Sequence, residues 1–284
     1  MNNRKIQKIT QGTGLHWVGN GFHVNSMFSY SHNQNISPFL LLDYASPTHF
    51  PPSNIQRGVE QHPHRGFETV TVVYSGEVEH RDTEGNAGKI SPGDVQWMTA
   101  ARGILHEEKH SVSFTQKGGT LEMVQLWVNL PAKDKMSVPR YQEILEKNIP
   151  VVKLNHDMGV VRVIAGQYTG IKGPALTFTP IHLYDIRLKA DASLEIEVEP
   201  GFNVMLLVLN GALSIEGEKI HTKELAMLRT EGNVVALKVE KDTKLLFMSG
   251  EPINEPIVGM GPFVMNTKEE IDKAYSDYSS GKFK

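Results

Sequence analysis

The chain has 284 residues, 39% of them hydrophobic, which is enough for two domains of the usual ~150 residues, each with its own core. A formal net charge of −3 leaves no basic surface for direct nucleic-acid binding, and no run of ~20 apolar residues is present to cross a bilayer as a helix. The absence of cysteine removes disulfides, thiolate catalysis and cysteine-ligated zinc, and the leading MNNRKIQKITQGTG has no apolar segment of a secretory signal, so a cytoplasmic location is expected.

From the N-terminus onward, the chain reads as short apolar or alternating runs cut by Gly, Pro and Asn. Gly12-Thr13-Gly14 lacks the third glycine and the following helical pattern of a dinucleotide loop, so nucleotide binding there finds little support. Runs at Val70–Tyr74, Asp94–Met98, Leu121–Val128, Val160–Ile164, Leu194–Val198, Val204–Leu209 and Lys244–Met248 predict strands. Many short strands separated by turn signals predict an all-β protein of the barrel or sandwich type. His80-Arg81-Asp82 followed by Asn86 resembles a kinase catalytic loop, but the Asn is one residue too close, and no Asp-Phe-Gly or strand lysine accompanies it. Ser91-Pro92-Gly93-Asp94 predicts a turn between two strands. A helical pattern is clear only at the end. Asn266 and Glu269 are spaced as a capping box, Ile271, Ala274, Tyr275 and Tyr278 share one helical face, and Gly281 supplies a stop.

An internal repeat divides the chain. Gly66-Phe67, an apolar run and Ser75-Gly76 correspond to Gly201-Phe202, an apolar run and Asn210-Gly211, with one offset of 135 positions (201 − 66 and 211 − 76). Repetition at this length predicts two similar β domains, joined through the proline- and charge-rich stretch that begins at Pro131. Under this alignment His62 faces Glu197 and His64 faces Glu199, so a metal held by the two histidines belongs to the first domain alone.

The segment EQHPHRGFETVTVVYSG carries that histidine pair. Residues two apart in a strand point to the same side, so His62 and His64 present both imidazoles to one face with Pro63 turned away. In ILHEE, His106 and Glu108 share parity as well, while Glu107 points the other way, toward solvent. Three nitrogens and one carboxylate oxygen suit a divalent first-row metal such as iron, nickel, manganese or copper, and in an octahedral site they leave two positions open. Parity alone leaves a second carboxylate available, because Glu68 has the same phase as His64. Phe67, Trp97, Met98 and Trp127 read first as core residues, with some available to wall an apolar pocket for an aromatic substrate.

HPHRGFETVT, SPGDVQWMTAARGILHEE, VQLWVNLP and the tail GEPINEPIVGMGPFVMNTKEEIDKAYSDYSSGKF strongly resemble the pirin family of the cupin superfamily, over nearly the whole chain. The resemblance implies two tandem cupin barrels (double-stranded β-helix, jelly-roll) facing each other, with a short C-terminal helix. It implies residues 1–130 as the metal-binding domain, 131–143 as a linker and 144–284 as a metal-free domain whose final helix packs back on the first. It assigns the metal to His62, His64, His106 and Glu108, with Glu68 not a ligand. The implied metal is Fe(II), with Ni, Mn, Co, Cu and Zn as other occupants of such a set. The implied activity is dioxygenase ring-opening of a flavonol of the quercetin type with O₂, releasing carbon monoxide, with Glu108 also taking the substrate hydroxyl proton. A second implied role is a metal-containing redox-sensing regulator that binds a transcription factor or metabolic enzyme. In the second half Glu197 and Glu199 are expected to bind nothing, and His182 and His221 to stand as isolated histidines.

Overall fold

In the computed structural model, which describes residues 2–32 and 36–283, each of the seven predicted runs falls on a strand to within one residue, and the paired strands of every sheet run antiparallel. No described helix is long and apolar enough to cross a membrane. Two compact units divide the chain, the first built mainly from residues 13–32, 38–146 and 253–283, the second from residues 2–12, 36–37 and 147–252.

The first unit has a seven-stranded sheet in the order Arg140–Ile144, Val95–Thr99, Phe67–Ser75, Gly119–Asn129, Phe39–Phe50, Phe22–Ser29 and Leu15–Val18. Its second sheet runs Gly58–His64, Ile104–His110, Val78–Asp82 and Ala87–Ile90. Between the sheets Phe22, Val73, Val78, Ile90, Leu121 and Met123 pack in one buried cluster. Strand Ile104–His110 alternates strictly, with Ile104, His106, Glu108 and His110 buried and the residues between them half-exposed. The polar members of that inner row are therefore held where only a paired polar group or a ligand can satisfy them.

In the second unit the core is aliphatic almost throughout, from Val161, Ile186, Leu206, Val208, Leu213, Ile215 and Val235 to the ring of Phe247. Here the contiguous boundaries read from the sequence need correction. Ile6–Thr10 pairs with Leu225–Leu228 at the edge of this unit's sheet rather than joining the first 130 residues. Arg4 explains the placement: fully buried, it donates to the carbonyl oxygens of Phe202 (2.6 Å), Glu199 (3.0 Å) and Gly232 (3.0 Å). Residues 140–144, expected partly in a linker, form a strand on Val95–Thr99.

The tail after Pro252 belongs to the first unit. Gly66, at φ +89°, turns the chain directly after the histidine strand, and a Cβ there would strike the Val264 carbonyl. Lys135 ties the same place together, its buried ammonium donating to Gly66 O (2.7 Å), Asn129 Oδ1 (2.7 Å) and Val264 O (3.0 Å). The final helix, Lys268–Ser279, starts one residue later than the spacing predicts. Thr267 is the N-cap, and Thr267 and Glu270 form the reciprocal box, while Asn266 turns aside to bond the Pro256 carbonyl. Ile271 and Ala274 are buried as predicted, Tyr278 is exposed, and Asp277 is buried in a position that a purely apolar face would give to a hydrophobe. A second helix, Val112–Lys117, carries no signal in the sequence because its length and residue order match no helical period.

Asp277 accepts from Arg65 Nη1 at 3.0 Å, and Lys273 and Lys282 reach it from solvent. Arg65 also donates to the Arg102 carbonyl and lies over the Phe283 ring at 4.4 Å. Hydrogen bonds from Lys282 and then Arg65 hold the Asp277 carboxyl well below the usual range, against the opposing effect of burial. A carboxyl depressed in the folded state contributes stability above its unfolded pKa of ~3.9, lost as pH falls. Asp277→Asn is therefore expected to cost about 2 kcal/mol at pH 7, because Arg65 stays buried without its counter-charge. Thermal melts should show the gap between parent and variant closing as pH drops below ~4. A gap independent of pH would refute the assignment.

Candidate metal centre

His62 and His64 end the strand Gly58–His64, and His106 lies across from His62 on the neighbouring strand. The register slips between His106 and Glu108, where an extra residue on the histidine strand makes a bulge beside His62. One nitrogen from each of the three imidazoles lies within 4.8 Å of the other two, a group that could hold a metal ion. Ring centroids are 4.3 Å apart for His62–His106, 4.8 Å for His62–His64 and 5.0 Å for His64–His106.

Hydrogen bonding shows which nitrogen of each ring is free. His62 Nδ1 lies 2.8 Å from the Glu60 carbonyl, and His64 Nδ1 lies 3.3 Å from the Pro262 carbonyl on the tail. A carbonyl only accepts, so each Nδ1 carries the proton and each Nε2 keeps its lone pair. His106 Nδ1 is engaged by His80, and His106 Nε2 is buried with no hydrogen-bond partner among the described residues. A buried orphan nitrogen costs stability unless a ligand takes its lone pair. Burial first, then the neighbouring His62, push the His64 imidazole down to about 3, against the opposing Pro262 hydrogen bond. Burial and the adjacent histidines likewise lower His106 well below its ordinary value. Imidazoles whose Nδ1 is held by hydrogen bonds, leaving Nε2 for a ligand, are what a divalent metal requires, so the donor set fits the ion.

The carboxylates fall elsewhere. Glu108 is not part of the three-histidine group. It is buried on the same face of its strand, with Oε1 accepting from Gln96 (2.5 Å) and Thr71 (3.3 Å) and Oε2 from Gln125 (2.8 Å). Glu68 is also buried and outside the group, accepting from Thr99 Oγ1 at 2.6 Å, with Arg140 at 3.9 Å. Burial pushes Glu68 up to about 7, opposed by Thr99, Trp97 and Arg140. Glu107 is half-exposed and pairs with Lys109. Phe67, Trp97 and Met98 are fully buried, whereas Trp127 is half-buried, stacks on Phe67 at 4.2 Å and meets the His64 ring at 5.3 Å.

In the second unit the positions aligned with the histidines carry Glu197 and Glu199, which line an open cavity of about 890 Å³ with His182 and Tyr184. His182 is hydrogen-bonded there, with Nε2 meeting Glu199 at 3.0 Å and Nδ1 meeting the Tyr184 hydroxyl at 2.8 Å.

Two family models match the chain, Pirin over residues 21–128 and the Pirin C-terminal cupin domain over residues 183–284. The chain belongs to the pirin family. The chain thus carries two cupin domains and is mostly β with one short C-terminal helix. A Pseudomonas aeruginosa protein provisionally named a quercetin 2,3-dioxygenase is 53% identical over 281 residues, covering 99% of this chain and 98% of that one. A pirin-like protein of Solanum lycopersicum is 41% identical over 268 residues, covering 93% and 88%. A crystal structure titled quercetin 2,3-dioxygenase, from Acinetobacter baumannii, superposes with a TM-score of 0.96 at 48% identity over 99% of both chains.

Proposed function

We propose that this pirin-family chain is a cytoplasmic, metal-dependent dioxygenase that opens a flavonol of the quercetin type with O₂, holding Fe(II) through His62, His64, His106 and Glu108. The observation that carries the reading is His106 Nε2, buried without a partner inside a group of three imidazoles. The names of the Pseudomonas and Acinetobacter relatives support the substrate class.

A bound first-row metal supplies Lewis acidity and electron transfer between a chelating enolate and dioxygen. The chain does the rest. His62, His64 and His106 present their Nε2 lone pairs from two adjacent strands, so the donor positions are set before any ligand arrives. Glu108 is the carboxylate on the same inner row, two residues beyond His106, and it accepts the proton that the flavonol hydroxyl loses on binding. The Gln96 and Gln125 amides orient that carboxylate. Trp127, braced by Phe67 beside His64, offers a flat apolar wall to an aromatic ring.

The test is elemental analysis of protein purified without added metal, together with oxygen uptake in the presence of quercetin. One transition-metal ion per chain with flavonol-dependent uptake supports the reading. Metal without uptake replaces it with the regulatory one, in which a protein partner reads the state of the metal. Absence of metal removes both.

A further inference from the structure

His106 differs from the other two histidines in what holds its far nitrogen. His62 and His64 give their Nδ1 protons to backbone carbonyls, which no side-chain substitution can remove. His106 Nδ1 meets a side chain instead, His80 Nδ1, at 3.4 Å. His80 Nε2 in turn lies 3.1 Å from Asp82 Oδ2, and both side chains are fully buried.

Each member is itself oriented. The Asp82 carboxylate accepts from the backbone amides of Glu84 and Asn86 at 3.0 Å each through Oδ1, and Asn86 Nδ2 reaches Oδ2 at 3.0 Å. His80 lies flat on Tyr141, with ring centroids 4.7 Å apart and planes within 13°. The register pairs His106 with Asp82 and Glu108 with His80, so the two strands bring the three groups together.

The proton assignment follows from the acceptor at the end of the chain. A carboxylate only accepts, so His80 donates Nε2–H to Asp82. With His80 in its neutral form, Nδ1 holds a lone pair, which can only receive the proton on His106 Nδ1. His106 is left with its lone pair on Nε2, the buried nitrogen without a hydrogen-bond partner among the described residues.

We propose that Asp82 and His80 are positioning residues that fix the tautomer and ring orientation of His106 and so prepare its Nε2 to bind metal. The proposal rests on His106 being a metal ligand, as argued for the proposed function. Outer partners of this kind orient a ligating imidazole and strengthen it as a donor, and losing one costs roughly 10–100-fold in metal affinity.

Asp82→Asn is the informative substitution. The asparagine oxygen is kept in the turn by the Glu84 and Asn86 amides, which places its NH₂ toward His80. His80 must then accept at Nε2 and carry its proton on Nδ1, and His106 must accept at Nδ1 and carry its own on Nε2. The relay is inverted with no change in size. His80→Phe provides a second variant, which keeps a flat ring on Tyr141 but removes the acceptor.

Long-range ¹H–¹⁵N correlation spectra of metal-free protein labelled at histidine read the tautomers directly. The parent should show His106 protonated on Nδ1 and His80 on Nε2, and Asp82→Asn should show both reversed. Cobalt(II) titrated against a competing chelator should bind roughly 10–100-fold more weakly to both variants. His106 protonated on Nε2 in the parent overturns the proposal even if neither variant folds. So does parental cobalt affinity in a folded Asp82→Asn. A parent with the expected tautomers that binds no cobalt overturns the metal centre itself, and with it any role of the relay in preparing a ligand.

Discussion

Alanine at position 106 is expected to leave a folded protein that no longer responds to metal. His106 is fully buried, so the substitution leaves a small cavity, but it also deletes a polar nitrogen that no hydrogen bond satisfies. Relief of the orphan nitrogen offsets part of the cavity cost, while His80 Nδ1 loses its partner, so the metal-free variant should melt somewhat below the metal-free parent. The metal-loaded state is where they part most. An ion that binds only the folded parent at a hundred times its Kd adds about 2.7 kcal/mol, and that increment should vanish in His106→Ala. The loss of affinity should exceed the roughly 10–100-fold expected for an outer partner, since a donor atom itself is gone. Calorimetric melts of both proteins with and without added metal, beside oxygen uptake on quercetin, check the prediction. An equal metal-induced shift in both would show that the ion sits elsewhere, and full turnover by the variant would end the assignment of the chemistry to this centre.

Much of this centre is legible in the amino-acid sequence. Parity alone puts His62 and His64 on one face of their strand and His106 and Glu108 on one face of theirs, because side chains alternate along a strand; the pairing of the two strands brings the three imidazoles together. The same rule cannot choose between Glu68 and Glu108. The reason is physical: both are buried on inner faces, and what separates them is which amides and hydroxyls hold their oxygens. Hydrogen-bond partners of that kind come from strands far apart in the chain, which no local pattern reports. The Pro262 carbonyl that sets the His64 tautomer is likewise 198 residues away. His80-Arg81-Asp82 is visible as a motif, but the chemistry its pattern suggests does not fit, since its meaning lies in the pairing of its strand with that of His106.

The fold shows the same division between local and distant causes. The seven apolar runs become strands because burial of alternating residues rewards that period wherever the partner strands come from. The assignment of residues 2–12 to the second unit depends instead on a strand pairing with Leu225–Leu228 and on one buried arginine bonded to three carbonyl oxygens about 200 positions on. Periodicity locates the final helix, yet the spacing misplaces its cap by one residue. Asn266 and Thr267 are both good caps, and the choice falls to the bond Asn266 makes with Pro256. Sequence periodicity thus reaches the elements, and the polar contacts between distant segments decide how they are joined.

Glu108→Gln should separate proton transfer from metal holding. Glutamine has the size of glutamate and keeps one oxygen, which can go on accepting from Gln96 and Thr71. Its new NH₂ faces Gln125 Nε2, and Gln125 can turn its amide over to offer an oxygen instead. The local packing therefore survives, and three imidazoles remain to retain a share of the metal. What the variant lacks is a base: an amide cannot take the hydroxyl proton of a flavonol, and a positioned general base commonly contributes roughly 10²–10⁴-fold. Turnover of quercetin per bound metal is expected to fall by about that factor while metal content falls much less. Metal analysis and oxygen uptake on the same preparations give the ratio. Undiminished turnover per metal would remove Glu108 from the proton step. Loss of metal in full proportion to loss of turnover would make it a ligand with no separate role as a base.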